Sequence, residues 1–276
     1  MPLSLSEFPL IKVSATGNDF LLADLLSDER RQQWTRDWQK TPRAELTRRW
    51  CDRHESLGAD GVVILEADPS ADFKWDFYNS DGGSAEMCGN AARAVGLYVQ
   101  QTTGKSELRF LTKAGVVNAR VFSAEKIEVE LPAVAESQWA QSTQFKLAFD
   151  FVRAGVPHAV VRVADISERE ALRKIAAGVK NEYRFRDKGV NVTFVLAEAS
   201  EARRVDSVTF ERGVEDFTLA CGTGAIAAAY TVLRGEENKE IEVQVPGGLL
   251  SVIWKNGRPR LTGPAKIAGA IRAHLP

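Results

Sequence analysis

The chain has 276 residues, of which 44% are hydrophobic and 26% charged, as in globular proteins built from one large domain or two ordinary ones. A formal net charge of −1 gives no general attraction to nucleic acid or anionic lipid, so neither is expected as a partner. The sequence start lacks the basic and apolar pattern of a secretion signal, and no apolar stretch approaches the roughly 18 residues that span a bilayer. We therefore expect a soluble, cytoplasmic protein.

In the first half of the chain, a helix candidate at 30–53 carries three of the six tryptophans and one charged side, as in a surface element that packs on a core. The alternating segments KWDFYN, VVNARVF and KIEVEL have the period and composition of strands. Between the first two of these, the run AARAVGLYVQQ predicts a helix that opens at a glycine-flanked turn after Cys88.

The second half shows the same order of elements after a polar stretch at 136–144, which we interpret as the junction between the halves. A helix candidate lies at 167–177, and the run GAIAAAYTVLRG predicts a helix that opens at the turn after Cys221. The predicted strands are AVVRV, NVTFVLA, SVTFER, IEVQV and LLSVIW.

The surroundings of the two cysteines repeat each other. Phe77 lies eleven residues before Cys88, and Phe210 lies eleven residues before Cys221. Because the match holds its register over some forty residues, chance does not explain it. The sequence therefore predicts two homologous halves.

The three cysteines stand in two kinds of sequence context. Three scattered cysteines without CxxC spacing predict neither a disulfide framework nor a zinc site, and we interpret Cys51 as a small buried hydrophobe. Cys88 and Cys221 instead open helices, where unpaired backbone N–H groups and the helix dipole favour a thiolate and also bind carboxylates.

Two such turns suit the inversion of a carbon next to a carboxylate. If pseudo-twofold symmetry brings the turns together, they hold one carboxylate and place a thiol on each side of its α-carbon. One thiolate then removes the α-proton and the opposite thiol delivers another, without pyridoxal phosphate. The pattern predicts a cofactor-independent amino-acid epimerase in which Cys88 and Cys221 are the acid/base pair.

Eight segments in a fixed order carry a resemblance to diaminopimelate epimerase, from Lys12 to about Ala268. The resemblance implies an α+β fold of two pseudo-symmetric domains at 1–131 and 132–265, each a mainly antiparallel, barrel-like sheet around a central helix. It leaves the final strand, at about 266–276, able to return to the first domain. The segments are KVSATGNDF, LGADGVVIL, NSDGGSAEMCGNAAR, GVPHAVV, GVNVTFV, FERGVEDFTLACGTGA, VPGGLL and LTGPA.

The resemblance also implies conversion of LL- to meso-diaminopimelate, for lysine and peptidoglycan synthesis, with a small-molecule substrate and no metal or cofactor. It makes Cys88 and Cys221 the two bases, with His158 beside one of them, and it is compatible with a homodimer. Arg212 suits a distal carboxylate and Glu211 suits an ammonium group. The implied substrate-binding residues are Asn18, Asn79, Gly89, Asn90, Asn191, Glu211, Arg212, Gly222 and Thr223.

Simpler interpretations exist for most of these residues taken alone. Asn18 and Asn79 stand in sequences typical of turns, Glu211 and Arg212 read as a solvated surface pair, and His158 reads as a structural histidine. Their membership of the ordered motif set favours the functional interpretation.

Three positions depart from the pattern that the family often shows. Val156 replaces an asparagine, Gly61 replaces a glutamine, and Ala91 replaces a glycine. Loss of the amide at Val156 removes a hydrogen bond worth about 0.5–1.5 kcal/mol. The alternative is therefore an epimerase of the same fold that acts on another amino acid with a polar distal group.

Two rival classes are less favoured. GTGAIA, at 222–227, fits the dinucleotide fingerprint G-x-G-x-x-A, but a polar stretch separates it from the preceding strand, and the first half has no such fingerprint. A non-catalytic binding protein on this fold would have no need of both cysteines.

Overall fold

The computed structural model describes residues 7–142, 147–182, 185, 189–196 and 203–274. By its internal contacts the chain divides into unit 1, Met1–Val129 with Pro264–Pro276, and unit 2, Glu130–Gly263. Both units consist mainly of strands with few helices, which confirms the predicted α+β class. Within the described ranges, no helix is both long and apolar enough to cross a membrane.

Unit 1 is built from nine strands and three helices among its described residues. Its strands are β1 (Glu7–Ala15), β2 (Asn18–Leu25), β3 (Gly61–Glu66), β4 (Phe73–Asn79), β5 (Ser84–Ala85), β6 (Glu107–Thr112), β7 (Gly115–Ser123), β8 (Lys126–Glu130) and, at the far end of the sequence, β18 (Lys266–His274). Its helices are α1 (Asp28–Asp37), α2 (Arg43–Cys51) and α3 (Gly89–Thr103).

Unit 2 is built from nine strands and two helices among its described residues. Its strands are β9 (Glu136–Gln141), β10 (Ala148–Ala154), β11 (Val156–Val163), β12 (Asn191–Leu196), β13 (Arg204–Glu211), β14 (Asp216–Phe217), β15 (Glu240–Val245), β16 (Gly248–Lys255) and β17 (Arg258–Gly263). Its helices are α4 (Arg169–Lys180) and α5 (Gly222–Leu233).

Strand pairing is the same in the two units. In unit 1 the pairs run β18–β1–β2–β3–β4–β6–β7–β8, in which β2–β3 and β4–β6 are parallel and the others antiparallel. In unit 2 they run β9–β10–β11–β12–β13–β15–β16–β17, with β11–β12 and β13–β15 parallel. This repeat of the pairing order confirms the predicted duplication.

A central helix follows from the second of the two parallel pairs in each unit. Parallel neighbours need a crossover connection, which α3 supplies between β4 and β6 and α5 supplies between β13 and β15. The first eleven residues of α3, 89–99, are all buried. Most residues of α5 are buried as well, and the helix packs against the strands of unit 2. Both helices begin directly after their cysteine, as predicted.

The helix candidate at 30–53 is wrong as a single helix. The chain forms α1 and α2 instead, and Pro42 precedes α2 with a non-helical backbone at φ −55° and ψ 136°. Proline has no N–H to donate and its ring clashes with a preceding helical turn, so the helix stops before it. The tryptophans Trp34, Trp38 and Trp50 pack against each other and against Phe8 in the core of unit 1.

Over 136–141 the polar stretch forms a strand of unit 2, β9, which pairs antiparallel with β10. All residues of β9 except Ala140 are exposed, and an edge strand that is solvated on both faces has no alternating apolar pattern to reveal it. Residues 143 and 144 lie outside the described residues.

Candidate active site

Cys88 lies at the N-terminus of α3 in unit 1. It is the N-cap residue, with extended backbone at φ −142° and ψ 120°, and its carbonyl accepts the hydrogen bond from Ala92 N at 2.9 Å. Gly89 and Asn90 are buried in the first helical turn. The first backbone N–H groups of a helix have no acceptor within the helix. Those of this turn can therefore donate hydrogen bonds to a bound anion.

A chain of hydrogen bonds joins two of the predicted site residues in unit 1. Asn18 Nδ2 donates to Asp60 Oδ2 at 2.9 Å, and Asn90 Nδ2 donates to Asn18 Oδ1. Arg93 Nη2 donates to Asn90 Oδ1 at 2.8 Å and to Thr16 Oγ1 at 2.7 Å. Sequence reasoning missed Arg93 and Asp60, although an arginine inside the apolar run AARAVGLYV is a visible anomaly.

Asn79 is placed differently, at the exposed end of β4. Its backbone N–H donates to Gly83 O at 2.9 Å, which closes a tight turn, and its side chain makes no hydrogen bond to any described residue. Across the β3–β4 ladder it faces Gly61. A Cβ on Gly61 would lie 2.5 Å from Tyr78 O, so this position has no room for a side chain unless the backbone moves.

Cys221 occupies the same position in unit 2 as Cys88 occupies in unit 1. It is the N-cap of α5, with φ −117° and ψ 111°, and it is 8% exposed. Its Sγ accepts a hydrogen bond from Gly224 N at 3.4 Å and lies 3.4 Å from Thr223 Oγ1. Gly222 is buried in the first turn.

Thr223 links this thiol to the buried side chain of His158. His158 Nε2 lies 3.0 Å from Thr223 Oγ1, and its Nδ1 lies 2.9 Å from Thr193 Oγ1. Thr193 Oγ1 in turn lies 3.1 Å from Thr209 Oγ1. The structure therefore connects Cys221 to a chain of hydroxyl and imidazole groups inside unit 2.

The position of Asn191 determines which ring nitrogen of His158 carries the hydrogen. Asn191 Oδ1 accepts from Arg212 N at 2.9 Å, which turns Nδ2 towards His158 Nε2, 3.5 Å away. An amide nitrogen only donates, so Nε2 is an acceptor and the ring hydrogen is on Nδ1. The structure thus brings together five predicted residues of unit 2: Asn191, Arg212, His158, Thr223 and Cys221.

Glu211 and Arg212 lie at and just beyond the end of β13. Both are partly buried, and Glu211 accepts a hydrogen bond from Thr218 Oγ1. Neither side chain is therefore a fully solvated surface charge.

Burial keeps His158 neutral and makes the stability of the chain depend on pH. Burial first, and then the charge of Arg212, lower the pKa of His158 to about 3. In the unfolded chain this histidine takes up a proton near its ordinary pKa of about 6.5, whereas in the folded chain it stays neutral until the pH is much lower. The contribution of His158 to the free energy of unfolding is therefore complete above about pH 6.5 and is lost as the pH falls towards 3.

We therefore expect the free energy of unfolding to fall by about 1 kcal/mol for each pH unit below 6 on account of this group. The measurement is urea unfolding from pH 7 to pH 4 in the parent chain and in His158→Gln, which carries no titrating ring. A parent and variant with the same dependence on pH would contradict this assignment.

Cys51 differs from the other two cysteines. It is 4% exposed among the tryptophans of unit 1, and burial raises the pKa of its thiol to about 12. A thiol of this kind is inert. Among the residues that the structure describes, no group of three histidine, cysteine or acidic side chains could hold a metal ion.

Comparison with known proteins places these features in one family. The chain matches the diaminopimelate epimerase family over residues 11–134 and 151–268. It is 37% identical over 236 residues to the diaminopimelate epimerase of Aquifex aeolicus, with 83% of each chain covered. It is 38% identical over 251 residues to that of a Nitratiruptor species, covering 90% of this chain and 87% of the relative.

Solved structures share the fold at low sequence identity. A hydroxyproline epimerase from Agrobacterium vitis, with bound trans-4-hydroxy-L-proline, has a TM-score of 0.71 at 17% identity and covers 100% of this chain and 94% of its own. A Bacillus anthracis phenazine biosynthesis protein of the PhzF family has a TM-score of 0.67 at 12% identity, with 98% and 99% covered. At these identities the likeness concerns the fold.

Proposed function

The chain belongs to the diaminopimelate epimerase family and is an isomerase, and on this premise we propose that it interconverts LL- and meso-diaminopimelate in lysine biosynthesis, with Cys88 and Cys221 as its acid/base pair. The observation that carries the proposal is the equivalence of the two thiols. Each is the N-cap of the central helix of its unit, and the order of paired strands around that helix is the same in both units.

In the proposed reaction, one thiolate takes the α-hydrogen of the substrate as a proton and becomes a thiol. The electron pair stays on the α-carbon, beside the carboxylate, and the other thiol gives its proton to the opposite face and becomes a thiolate. The backbone N–H groups of the two first turns, at 89–90 and 222–223, hold the carboxylate while negative charge grows on it. Exchange of protons with solvent resets the pair.

The remaining predicted residues are proposed to bind the distal part of the substrate. Arg212 suits the distal carboxylate through two parallel N–H donors, and Glu211 suits the distal ammonium group. Asn18, Asn79 and Asn191 offer amides that bind either group.

A second candidate is supported by the local packing at Gly61. A Cβ at this position would lie 2.5 Å from Tyr78 O, so no polar side chain fits there unless the backbone moves, and Val156 offers no polar atom on its side chain. Fewer polar groups for the distal end favour an epimerase of another amino acid with a polar distal group as the alternative.

The test is solvent deuterium exchange by the full chain with LL-diaminopimelate, meso-diaminopimelate and a panel of L-amino acids. We expect one deuterium at the carbon that inverts, and inversion of diaminopimelate faster than of any other substrate. Cys51→Ala is the matched control and keeps this activity, because Cys51 lies in the tryptophan cluster of unit 1. Faster inversion of another amino acid would establish the alternative, and inversion with complete retention of protium would exclude the two-thiol reaction.

We also infer a cytoplasmic location, because acid/base thiols need a reducing compartment to stay reduced. Cell fractionation with an antibody against the chain tests this inference, and recovery in a periplasmic or secreted fraction would refute it.

A further inference from the structure

Arg93 is a buried cation that the proposed reaction does not use. It lies in the second turn of α3 and is 0% exposed. Its hydrogen bonds go to two neutral oxygens, Thr16 Oγ1 and Asn90 Oδ1, while its Nε and Nη1 are buried and donate to no described residue. Within the described ranges, no carboxylate forms an ion pair with it. A buried guanidinium without an anionic partner is costly, so a fold that keeps one has a use for its charge.

We propose that Arg93 is a positioning residue for Cys88, which stabilises the thiolate form of Cys88 with its buried charge and fixes Asn90 and Thr16 with its hydrogen bonds. The proposal deepens the proposed function, on which it rests, because it explains how the thiol of unit 1 becomes a base.

The electrostatic interaction between Arg93 and Cys88 is reciprocal. Burial lowers the pKa of Arg93 to about 10, so that it stays protonated at neutral pH, and the negative charge of Cys88 acts in the opposite direction and raises it. Because the thiolate of Cys88 stabilises the charged form of Arg93, the charged form of Arg93 stabilises the thiolate of Cys88 by the same amount. Cys88 also faces the positive end of the α3 dipole, which acts in the same sense.

The hydrogen-bonding part follows from the donors of arginine. A guanidinium has donors and no acceptor, so Asn90 must present Oδ1 to Arg93 and Nδ2 to Asn18. Asn18 must then present Oδ1 to Asn90 and Nδ2 to Asp60. One buried cation therefore sets the orientation of both amides.

Thr16 adds a second anchor. Its backbone has φ 50°, the left-handed region, in the turn between β1 and β2, and its hydroxyl accepts from Arg93. Such a conformation is costly for a β-branched residue unless its surroundings hold it. The bond ties the turn that carries Asn18 to the helix that carries Cys88.

The duplication supplies an internal comparison. The residue five positions after Cys221, equivalent to Arg93, is Ile226, which is 1% exposed. The helix position therefore accepts an apolar side chain, and the charge is particular to unit 1. In unit 2 the contacts of the thiol include the neutral hydroxyl of Thr223.

The other ionisable groups that adjoin Cys88 in sequence or join the Asn18–Asn90 hydrogen bonds are the same in every variant below. Glu86 lies two residues before it and is exposed, so solvent screens its charge. Asp60 is reached through Asn18, and Lys12, Asp19 and Arg53 pair with one another or with Asp60.

The test is the rate at which iodoacetamide alkylates each cysteine of the full chain between pH 5 and 10, followed for each cysteine by mass spectrometry of its peptide. The variants are Arg93→Met, Arg93→Lys and, as the matched control, Ile226→Met. We expect Arg93→Met to raise the pH midpoint for Cys88 by about 1 or more, which slows its alkylation at pH 7 about tenfold. In Arg93→Lys the Cys88 midpoint stays close to the parent value, because lysine keeps a positive charge at this position. Ile226→Met leaves the Cys88 midpoint unchanged.

An unchanged Cys88 midpoint in folded Arg93→Met would overturn the proposal. Should Arg93→Met not fold, as judged by circular dichroism, the parent chain still tests it. A Cys88 midpoint below the ordinary thiol value of about 8.5 in the parent supports a stabilised thiolate, and a midpoint at or above that value overturns it. No substrate takes part in this measurement. A chain that fails to epimerise diaminopimelate would therefore refute the proposed function without changing the alkylation result, so the two failures can be told apart.

Discussion

We expect Cys88→Ala and Cys221→Ala each to lose inversion, with turnover lowered by at least the roughly 10²–10⁴-fold that one acid/base group contributes. Each variant lacks either the base that removes the α-proton or the acid that delivers a proton to the opposite face, and a methyl group supplies neither. The fold is expected to persist, because each change removes a single sulfur atom, and loss of the Gly224–Cys221 contact costs only about 1 kcal/mol.

The remaining thiol gives this prediction a second readout. A single thiolate can remove a proton from its own face and return a deuteron to the same face, so each variant is expected to exchange one configuration of the α-carbon without inverting it. The measurement is deuterium incorporation into LL- and meso-diaminopimelate, with circular dichroism as the check on folding. Substantial inversion by either folded variant would rule out the two-thiol scheme.

Gly224→Ala is expected to damage both stability and turnover. A Cβ at Gly224 would lie 2.3 Å from Thr209 Oγ1 and 3.2 Å from Thr193 Oγ1, so the two hydroxyls must move. Thr193 contacts Nδ1 of His158, and a shift there reaches Cys221 through Thr223. Overpacking of this kind costs about 1–3 kcal/mol, and misplacement of a reacting group by about 1 Å costs about 10²-fold in rate.

The equivalent position in α3 supplies the control. Ala91 is the third residue after Cys88, as Gly224 is the third after Cys221, and it is fully buried. Ala91→Gly loses the helix propensity of alanine and one buried methyl group, about 1–2 kcal/mol together, and crowds no neighbouring side chain. Urea unfolding and kcat/KM of both variants test the pair. A Gly224→Ala chain as stable and as active as its parent would mean that the two threonines move freely.

The sequence was most informative where a local pattern reflects a local physical constraint. Glycine-flanked cysteines before small apolar runs predicted α3 and α5, because helix initiation depends on the residues around it. Alternating apolar residues predicted strands such as β7 and β16, which bury one face. The family and the enzyme class were likewise predicted from the order of short motifs and are confirmed by the relatives.

Features that depend on contacts between distant segments were not predictable in this way. Only its pairing with β10 makes β9 a strand, since its own residues are mostly polar. The charge of Arg93 stands out within an apolar run of the sequence, but its isolation from carboxylates among the described residues is a property of the packed unit. The contact between His158 and Thr223 joins residues 65 positions apart, which no local pattern reports.

The pairing of β18 with β1 has a consequence for the order in which the halves are completed during synthesis. Unit 2 is one continuous segment, whereas unit 1 takes its last strand from residues translated after the whole of unit 2. Unit 2 therefore has all its strands available on the ribosome while one side of β1 still lacks its partner, and an unpaired strand edge invites pairing with other chains. The nascent chain thus passes through a stage in which its second half can be finished while its first half has an open edge.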